Sequence, residues 1–344
     1  MPAKFGPLPT KEHNQKRGLT RDALKKIADE SLNAIASGSY TLRKLQARTD
    51  DVVETFDLLA NVKYLKERTL YYGPDSVVTS WVQPVTEEAG LASTTKIWAV
   101  EKSTLDTAHW LIEKLAAEPQ PSVDDLAERR GARARAVGVL NFASAKHPGG
   151  GFLTGSQAQE ESIARSSTLY PSLMCPAGQQ FYTYNHSIMA GKNDGYYSHG
   201  MIYSPSVIVF RNDTGRWLRP YEIDVLTSPA VNAGVVWQKR QQALKQQQPV
   251  DSEIATEDKI RAVMKERMAR LLYLFELQGT RNLVLGSFGT GVFKNSVDIV
   301  ADLWAELLVG QDARFGKSFK RVIFGVIGHG TYLKFAERFG TDAG

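Results

Sequence analysis

Cysteine is almost absent from this chain of 344 residues, since Cys175 is the only one. One thiol excludes an internal disulfide and a cysteine-based zinc cluster within a single chain, and it is typical of a reducing compartment. Long apolar runs are also missing: none approaches the roughly 20 residues that span a bilayer, and the first residues lack the apolar core of a secretory signal. We therefore expect an intracellular protein, nuclear or cytoplasmic, that does not act in a membrane.

Familiar motifs for metals and nucleotides are lacking as well. His147, His186, His199 and His329 do not have the spacing of a local metal site, so neither a metal nor another cofactor is expected. The segment "LGSFGTGVFKN" has the glycine spacing of a P-loop, but Val292 occupies the lysine position. It also lacks the third glycine of the dinucleotide fingerprint. The common nucleotide motifs therefore do not apply.

The composition is that of a globular protein with one or two domains, because 42% of the residues are hydrophobic and 23% are charged. Lys and Arg number 42 and Asp and Glu 37, so the formal charge is 42 − 37 = +5. This excess favours polyanionic partners without requiring one. Four arginines crowd the segment "RRGARAR" at residues 129–135. Contact with phosphates is one interpretation of that cluster, and a solvated loop is the commoner one.

Hydrophobic spacing divides the chain near residue 75. Before that point it predicts two helices, one in "LTRDALKKIADESLNAIASGSY" that ends at Gly38 and one in "DDVVETFDLLANVKYLKERT" that starts at Asp50. After it, strand and helix patterns alternate. Strands are predicted in "SVVTSWVQPVT", "TTKIWAV", "RAVGVLNFA", "SPSVIVFRND", "RNLVLGSFG" and "FKRVIFGVIG"; helices are predicted in "TLDTAHWLIEKLAA", "SVDIVADLWAELLVG" and residues 257–278.

Alternating strands and helices predict an α/β layered domain, which binds ligands at the carboxyl ends of its strands. Residues 141–161 and 286–295 both follow predicted strands, so we expect these two loops to share one crevice. Residues 238–253 are rich in glutamine and contain Pro249, which predicts an exposed connection.

The segment "HPGGGFLTGSQAQEES" places three glycines shortly before two adjacent glutamates. Ser156 and Gln159 have the capping-box spacing, which predicts a helix that begins at Ser156 and carries Glu160 and Glu161 near its positive end. Neighbouring helical residues point about 100° apart, so the two carboxyl groups cannot have the same role. Either feature alone has an ordinary explanation, because glycines turn the chain and Glu is common in first helical turns. The glycines of residues 286–295 could form an anion-binding nest.

Taken together, the spacing resembles a family signature. Gly149, Gly150 and Gly151, seven intervening residues and then Gln159, Glu160 and Glu161 resemble the GGG-x(6–8)-QEE signature of poly(ADP-ribose) glycohydrolases. "NFASAKHPGGG", "IYSPSVIVFRND", "SPAVNAG" and "GSFGTGVFKN" resemble the microbial-type branch. The resemblance covers residues 76–335 and implies a macrodomain-like mixed sheet flanked by helices. It also implies a helical N-terminal accessory extension at residues 1–75, before a catalytic domain at residues 76–344.

The resemblance implies a role for each site residue. Glu161 is the catalytic acid, and Glu160 helps to hold substrate hydroxyls. Asn141 binds the terminal ribose, while Gly149, Gly150 and Gly151 let the ribose and diphosphate approach the backbone. The second phosphate loop consists of Gly289, Thr290, Gly291, Val292 and Phe293, and Phe293 presses on the terminal ribose. The side chains of Gln159 and Asn232 are either substrate-binding or structural.

The implied reaction is hydrolysis of the ribose-ribose O-glycosidic bonds of poly(ADP-ribose), free or attached to proteins, to release ADP-ribose. Glu161, protonated in the bound complex, gives its proton to the departing 2′-oxygen, and the substrate's diphosphate orients the attacking water.

Three competing functions remain open at this stage. A macrodomain that only binds ADP-ribose needs Asn141 and the glycine loops but not the acids. A hydrolase of mono-ADP-ribose linkages or esters attacks a different bond. Nucleic-acid binding rests on the net charge, the arginine cluster and the tyrosines Tyr182, Tyr184, Tyr196 and Tyr197. Core packing explains such tyrosines more often, so we expect no direct contact with nucleic acid.

Overall fold

The computed structural model describes residues 18–44, 52–83, 94–118, 136–191, 194–310 and 312–341, and the arginine cluster at 129–135 lies outside them. The helices of this part are α1 (Arg21–Ser37), α2 (Leu59–Arg68), α3 (Thr104–Ala117), α4 (Gln159–Ser166), α5 (Leu169–Met174), α6 (Pro176–Gly191), α7 (Ala233–Lys245), α8 (Glu253–Leu277), α9 (Val297–Leu308) and α10 (His329–Phe339). The strands are β1 (Ser39–Lys44), β2 (Val52–Asp57), β3 (Leu70–Tyr72), β4 (Lys96–Val100), β5 (Val137–Phe142), β6 (Met201–Arg211), β7 (Trp217–Ser228), β8 (Asn282–Leu285) and β9 (Arg321–Gly325). None of the helices in these ranges is long and apolar enough to cross a membrane.

Seven strands form one mixed sheet in the order β3-β6-β7-β5-β8-β9-β4. The pairs β3·β6 and β6·β7 are antiparallel, whereas β7, β5, β8, β9 and β4 run parallel to one another. The parallel strands are connected through helices, as such pairs require. The predicted macrodomain-like mixed sheet flanked by helices is therefore confirmed.

Helices cover both faces of the sheet. Alternate residues of β5 show the division: Val139 packs in the cluster that contains α3, α4 and α6, and Leu140 packs in the cluster that contains α8, α9 and α10. Because successive residues of a strand point to opposite faces, Asn141 lies on the same face as Val139. The end of β5 thus directs Asn141 toward the helix that carries the two glutamates.

The predicted second helix begins later than expected. Residues 52–57 form β2, which pairs with β1, and α2 starts at Leu59. Valine, threonine and phenylalanine in this stretch favour a strand, and the rings of Tyr40 and Phe56 stack across the pair with centroids 5.2 Å apart. The carboxylate of Asp57 accepts a hydrogen bond from the backbone N–H of Leu59 and marks the change from strand to helix.

One other sequence prediction was wrong, and another was right only in part. In place of the strand predicted in "SVVTSWVQPVT", whose residues 84–86 lie outside the described ranges, Val77–Ser80 form a short 3-10 turn, because Val78 is buried against α8 rather than paired at a sheet edge. Residues 238–253 are mostly exposed, as predicted, but those up to Lys245 belong to α7, which Asn232 caps. Glutamine, lysine, arginine and alanine favour the helix that they continue, and Pro249 follows after its end.

The N-terminal helix packs directly on the loop that follows the three glycines. Ala28 of α1 forms a small buried cluster with Phe152 and Ala164. Gly155 has a φ of 76°, and a Cβ at this position would overlap the carbonyl oxygen of Arg21. In addition, β3 pairs with β6 in the main sheet. The division of the chain at residue 75 stays a prediction.

Replacing Gly155 with alanine tests the contact between α1 and this loop. We expect Gly155→Ala to lower the free energy of unfolding by about 2–4 kcal/mol, because strain at positive φ adds to the overlap with Arg21. Gly279→Ala is the matched control, since Gly279 has a φ of 73° and open space around it. Its cost is about 1–2 kcal/mol. Equal losses in the two variants, measured by denaturant unfolding, would refute the packing contribution.

Candidate active site

The candidate site lies at the carboxyl ends of β5, β7, β8 and β9. A cavity of about 430 Å³ opens there. Its walls come from the start of α4 and from the loop after β8, which we call the second glycine loop (residues 286–295). The lining residues include Phe142, Gln157, Ala158, Gln159, Ala230, Ser287, Gly289, Thr290, Gly291, Val292 and Phe293. Both predicted loops therefore border one crevice. Asn141, Glu160, Glu161 and residues 149–151 are not among the lining residues and lie next to it.

The glycine run, residues 149–151, lies against the two glutamates. Gly150 has a φ of 60°, and a Cβ there would overlap Oε1 of Glu161 and stand 3.0 Å from Oε2 of Glu160. The backbone N–H of Gly151 donates a hydrogen bond of 3.0 Å to Oε1 of Glu161. The close approach of the carboxyl groups therefore requires glycine at position 150.

The N-cap of the acid-bearing helix lies two residues later than the capping-box spacing predicts. The first residue of this helix is Gln159, its N-cap is Ala158, and no side chain caps it. Ser156 is part of the loop instead: its N–H donates to the carbonyl of Gly151, and its own carbonyl accepts from Arg165. Glu160 and Glu161 still occupy the first turn, as expected.

Gln159 connects α4 to the end of β5. Its Oε1 accepts from the backbone N–H of Phe142 at 2.8 Å, and its Nε2 donates to the carbonyl of Leu140 at 2.6 Å. The same Nε2 lies 3.2 Å from Oγ1 of Thr104. Because protein groups occupy both ends of this amide, the structural alternative for its side chain is the one that the geometry favours. Asn232 likewise acts as a helix cap, accepting from the N–H of Val235.

Glu160 and Asn141 are both buried, with side chains 3% and 0% exposed. Oε2 of Glu160 accepts a hydrogen bond of 2.7 Å from the N–H of Ser144, and Nδ2 of Asn141 donates to Oγ1 of Thr227. Two neighbouring buried oxygens have no protein partner: Oε1 of Glu160 and Oδ1 of Asn141. Buried polar atoms are normally hydrogen-bonded, so this group suits a ligand rich in hydroxyls.

Glu160 is buried and Glu161 is only partly buried, so the two carboxyl groups lie in different electrostatic surroundings. Loss of solvent raises the pKa of Glu160 well above its usual range, and the neighbouring Glu161 adds to the effect. Hydrogen bonds from Ser144, Asn141 and Gly149 lower the pKa by a smaller amount. Glu160 therefore retains its proton to higher pH than an exposed glutamate.

The second glycine loop is tightly packed at Gly289 and open at Gly291. Gly289, at a φ of 75°, lies so close to Ala230 that no Cβ fits, and Asn295 donates to its carbonyl and to that of Val231. Gly291 has no atom within 4 Å of the position of a Cβ. Val292 is 79% exposed at the rim. This arrangement leaves room for a ligand's phosphates beside Gly291.

One residue of the site was not predicted from the sequence. Thr227 reaches Asn141 because β5 and β7 pair in register, with Asn141 opposite Thr227. No local pattern in the sequence indicated this contact. Within the described residues, no three His, Cys, Asp or Glu side chains converge as metal ligands.

A mixed sheet with glycine loops and an acid pair at its carboxyl edge can bind a phosphate-bearing ligand and transfer a proton to it. Comparison with known proteins specifies the class. The family model described as the catalytic domain of microbial-type PARG, the poly(ADP-ribose) glycohydrolases, matches residues 28–212, more than half of the chain. The chain belongs to this family and is a glycosidase.

Solved structures extend the likeness beyond the matched residues. Poly(ADP-ribose) glycohydrolase from Thermomonospora curvata is 33% identical with a TM-score of 0.71, over 92% of this chain and 100% of that one. Its complex with the inhibitor ADP-HPD gives 33% and 0.70 over the same shares. The enzyme from Deinococcus radiodurans in complex with ADP-ribose is 30% identical with a TM-score of 0.64, over 81% of this chain and 97% of that one. No curated protein sequence gives a significant match.

The raised pKa of Glu160 predicts a pH-dependent stability difference. A raised pKa in the folded state gives stability that is present at acidic pH and lost as pH rises through that pKa. Glutamine has nearly the same shape as glutamate but does not titrate, so a glutamine at this position does not lose stability as pH rises. We therefore expect Glu160→Gln to raise Tm over wild type by about 2 °C or more at pH 8 and by less at pH 5. Calorimetry at both pH values measures the difference, and a gap independent of pH would contradict the assignment.

Gly150 offers a separate test of the packing between loop and acids. We expect Gly150→Ala to reduce hydrolysis of poly(ADP-ribose) at least ~100-fold, because the added methyl displaces the Glu161 carboxyl group. Gly279→Ala, which also places alanine at positive φ, should leave turnover within about twofold. If Gly150→Ala turned over substrate at the rate of this control, the close approach would have no part in the reaction.

Proposed function

We propose that this glycosidase releases ADP-ribose from poly(ADP-ribose) with Glu161 as its acid and base, and with Glu160 and Asn141 as binding groups for the terminal ribose. The observation that carries this assignment is the contact of the Glu161 carboxylate with the N–H of Gly151 at the end of the glycine run. That contact joins an acid to a loop suited to phosphate, beside a cavity of about 430 Å³. Cavities of this size hold small ligands.

The proposed reaction breaks the bond between the anomeric carbon of the terminal ribose and the 2′-oxygen of the preceding unit. Glu161 donates its proton to that oxygen, which leaves as a hydroxyl, and the anomeric carbon develops oxocarbenium character. Water attacks this carbon, and Glu161 accepts the proton that the water loses. The cycle consumes one water and returns Glu161 to its initial state.

One acid suffices in this scheme. Ordinary glycosidases place two carboxyl groups about 5–10 Å apart on opposite sides of the bond, which adjacent residues of one helix cannot do. We propose that the substrate's diphosphate, held between the glycine run and the second glycine loop, orients the water instead. Phe293, which lines the cavity, would then limit the movement of the terminal ribose.

Glu160 has a different task in this proposal. Since burial raises the pKa of its carboxyl group and so favours the protonated form, Glu160 can donate a hydrogen bond to a ribose hydroxyl oxygen in that form. Oδ1 of Asn141 can accept from a hydroxyl. A ribose with two neighbouring hydroxyls supplies both donors and acceptors, so one sugar can satisfy both buried oxygens.

The relatives from Deinococcus radiodurans and Thermomonospora curvata bind ADP-ribose and ADP-HPD, respectively. We propose ADP-ribose as the product of this chain and poly(ADP-ribosyl)ated proteins as its source of substrate. An intracellular location and the lack of direct contact with nucleic acid belong to the same proposal.

Replacing Glu161 separates catalysis from binding. Glu161→Gln keeps an oxygen that can accept from Gly151 but has no proton to exchange, so we expect at least a ~1,000-fold loss of ADP-ribose release and ADP-ribose affinity within about threefold of wild type. Product release is followed by chromatography and affinity by calorimetry.

The control for this experiment is Glu257→Gln, which changes an exposed glutamate of α8. Retention of full activity by Glu161→Gln would refute the mechanism. Mono-ADP-ribosylated protein is assayed in parallel. Wild-type activity on that substrate alone would identify a mono-ADP-ribose hydrolase instead.

A further inference from the structure

Arg267 of α8 is a buried cation whose partners are all backbone carbonyls. It is 0% exposed; Nη1 donates to the carbonyl of Pro229 at 3.0 Å, and Nη2 donates to those of Tyr196 at 2.8 Å and Tyr197 at 3.4 Å. Its Nε is buried without a protein partner. Within the described residues, no carboxylate lies within ion-pair distance of it. Burial beside Arg270 lowers the pKa of Arg267 to about 9, which shows that the position is costly for a charge.

The carbonyls that Arg267 binds belong to two segments beside the candidate site. Pro229 directly follows the end of β7 at Ser228. Tyr197 is one of four described residues other than glycine with positive φ, at 55°. This backbone conformation costs about 1–2 kcal/mol and persists only where the surroundings enforce it. The guanidinium group holds both segments at once, and a backbone hydrogen bond from the N–H of Asn232 to the carbonyl of Gly195 joins the same two segments.

Tyr197 in turn touches the second glycine loop. Its ring lies 5.9 Å from the ring of Phe293 at an angle of 43°. Phe293 lines the cavity, whereas Tyr197 is not among the described lining residues. Tyr197 therefore supports the ring of Phe293 by direct contact. The backbone of Phe293 is held as well, because its carbonyl accepts from the N–H of Gly234.

We propose that Arg267 is a positioning residue, which holds Tyr197 in contact with Phe293 and so sets the aromatic wall against which the terminal ribose of ADP-ribose packs. This inference rests on the proposed function, because it takes ADP-ribose as the ligand. Arginine suits the task because its planar group donates in several fixed directions, whereas lysine offers a single ammonium that cannot occupy both sites.

A double-mutant cycle tests whether Arg267 acts through Tyr197. ADP-ribose affinity is measured by calorimetry for wild type, Arg267→Lys, Tyr197→Leu and the double variant. We expect each single change to weaken binding about 5-fold to 10-fold, and the double variant to be within about twofold of the weaker single variant. Arg267→Gln, which removes the charge but retains one amide donor, is measured beside the lysine variant and keeps the test usable if one of them fails to fold.

Arg314→Lys is the matched control. Arg314 also donates to backbone carbonyls, those of Trp81 and Gln83, and pairs with Glu276. It precedes β9 and so lies at the opposite, amino-terminal edge of the parallel strands. We expect its replacement to lower Tm as the Arg267 variants do while changing ADP-ribose affinity less than twofold. A purely structural role of Arg267 predicts the same behaviour for both arginines.

Two results would overturn the inference: single effects that multiply in the double variant, or an Arg267→Lys affinity no weaker than that of Arg314→Lys. Release of ADP-ribose from poly(ADP-ribose) by wild type is assayed alongside. Normal release with an uncoupled cycle would refute the role of Arg267 and leave the proposed function intact. A coupled cycle for ADP-ribose binding, together with no release of ADP-ribose by wild type, would support the role of Arg267 and refute the proposed function.

Discussion

The close approach of the Gly150 backbone to two carboxyl groups is the contact on which the rest of the site depends. A Cβ at this position would overlap Glu161 and crowd Glu160, so a single missing side chain lets the loop and the first turn of α4 occupy adjoining space. The N–H of Gly151 then points at Glu161. On the other side, Phe152 anchors the same loop in the cluster with α1 and α4. Glycine residues allow many backbone conformations, but these contacts fix the conformation of the glycine run.

Adjacency in a helix makes the two acids unequal. The turn of about 100° between neighbours sends Glu160 toward the end of β5, where burial is complete, and leaves Glu161 beside the loop and partly accessible. Burial raises the pKa of Glu160 and suits it to hydrogen bonding in its neutral form. In the proposed mechanism, the residue in contact with the glycine run exchanges protons with substrate and water. The same turn of helix therefore gives the two glutamates the different surroundings that this mechanism needs.

Sequence reasoning succeeded where the relevant residues are neighbours in the chain. The alternation of strands and helices predicted an α/β layered domain. The resemblance to a family signature, carried by the spacing between Gly151 and Gln159, predicted the mixed sheet and one site for glycines and acids. Sequence reasoning failed where contacts between residues that are distant in the sequence determine the local structure. Residues 52–57 became a strand because β1 lies beside them, and Ser156 does not cap α4 because it bonds to Gly151. The bond between Thr227 and Asn141 depends on the register of β5 with β7, which no local pattern encodes.

The register of β5 with β7 also brings the proposed binding groups together. β5 and β7 run parallel with Asn141 opposite Thr227, so both strands end at one height and present their last polar side chains side by side. Gln159 bonds to Leu140 and Phe142 and thereby places the start of α4 at the same height. Arg267 bonds to Pro229, immediately beyond β7, and carries the constraint across to Tyr197 and Phe293. The separate loops of the site are therefore positioned from the ends of the same two strands, and a shift in either strand would move the acids and the aromatic wall together.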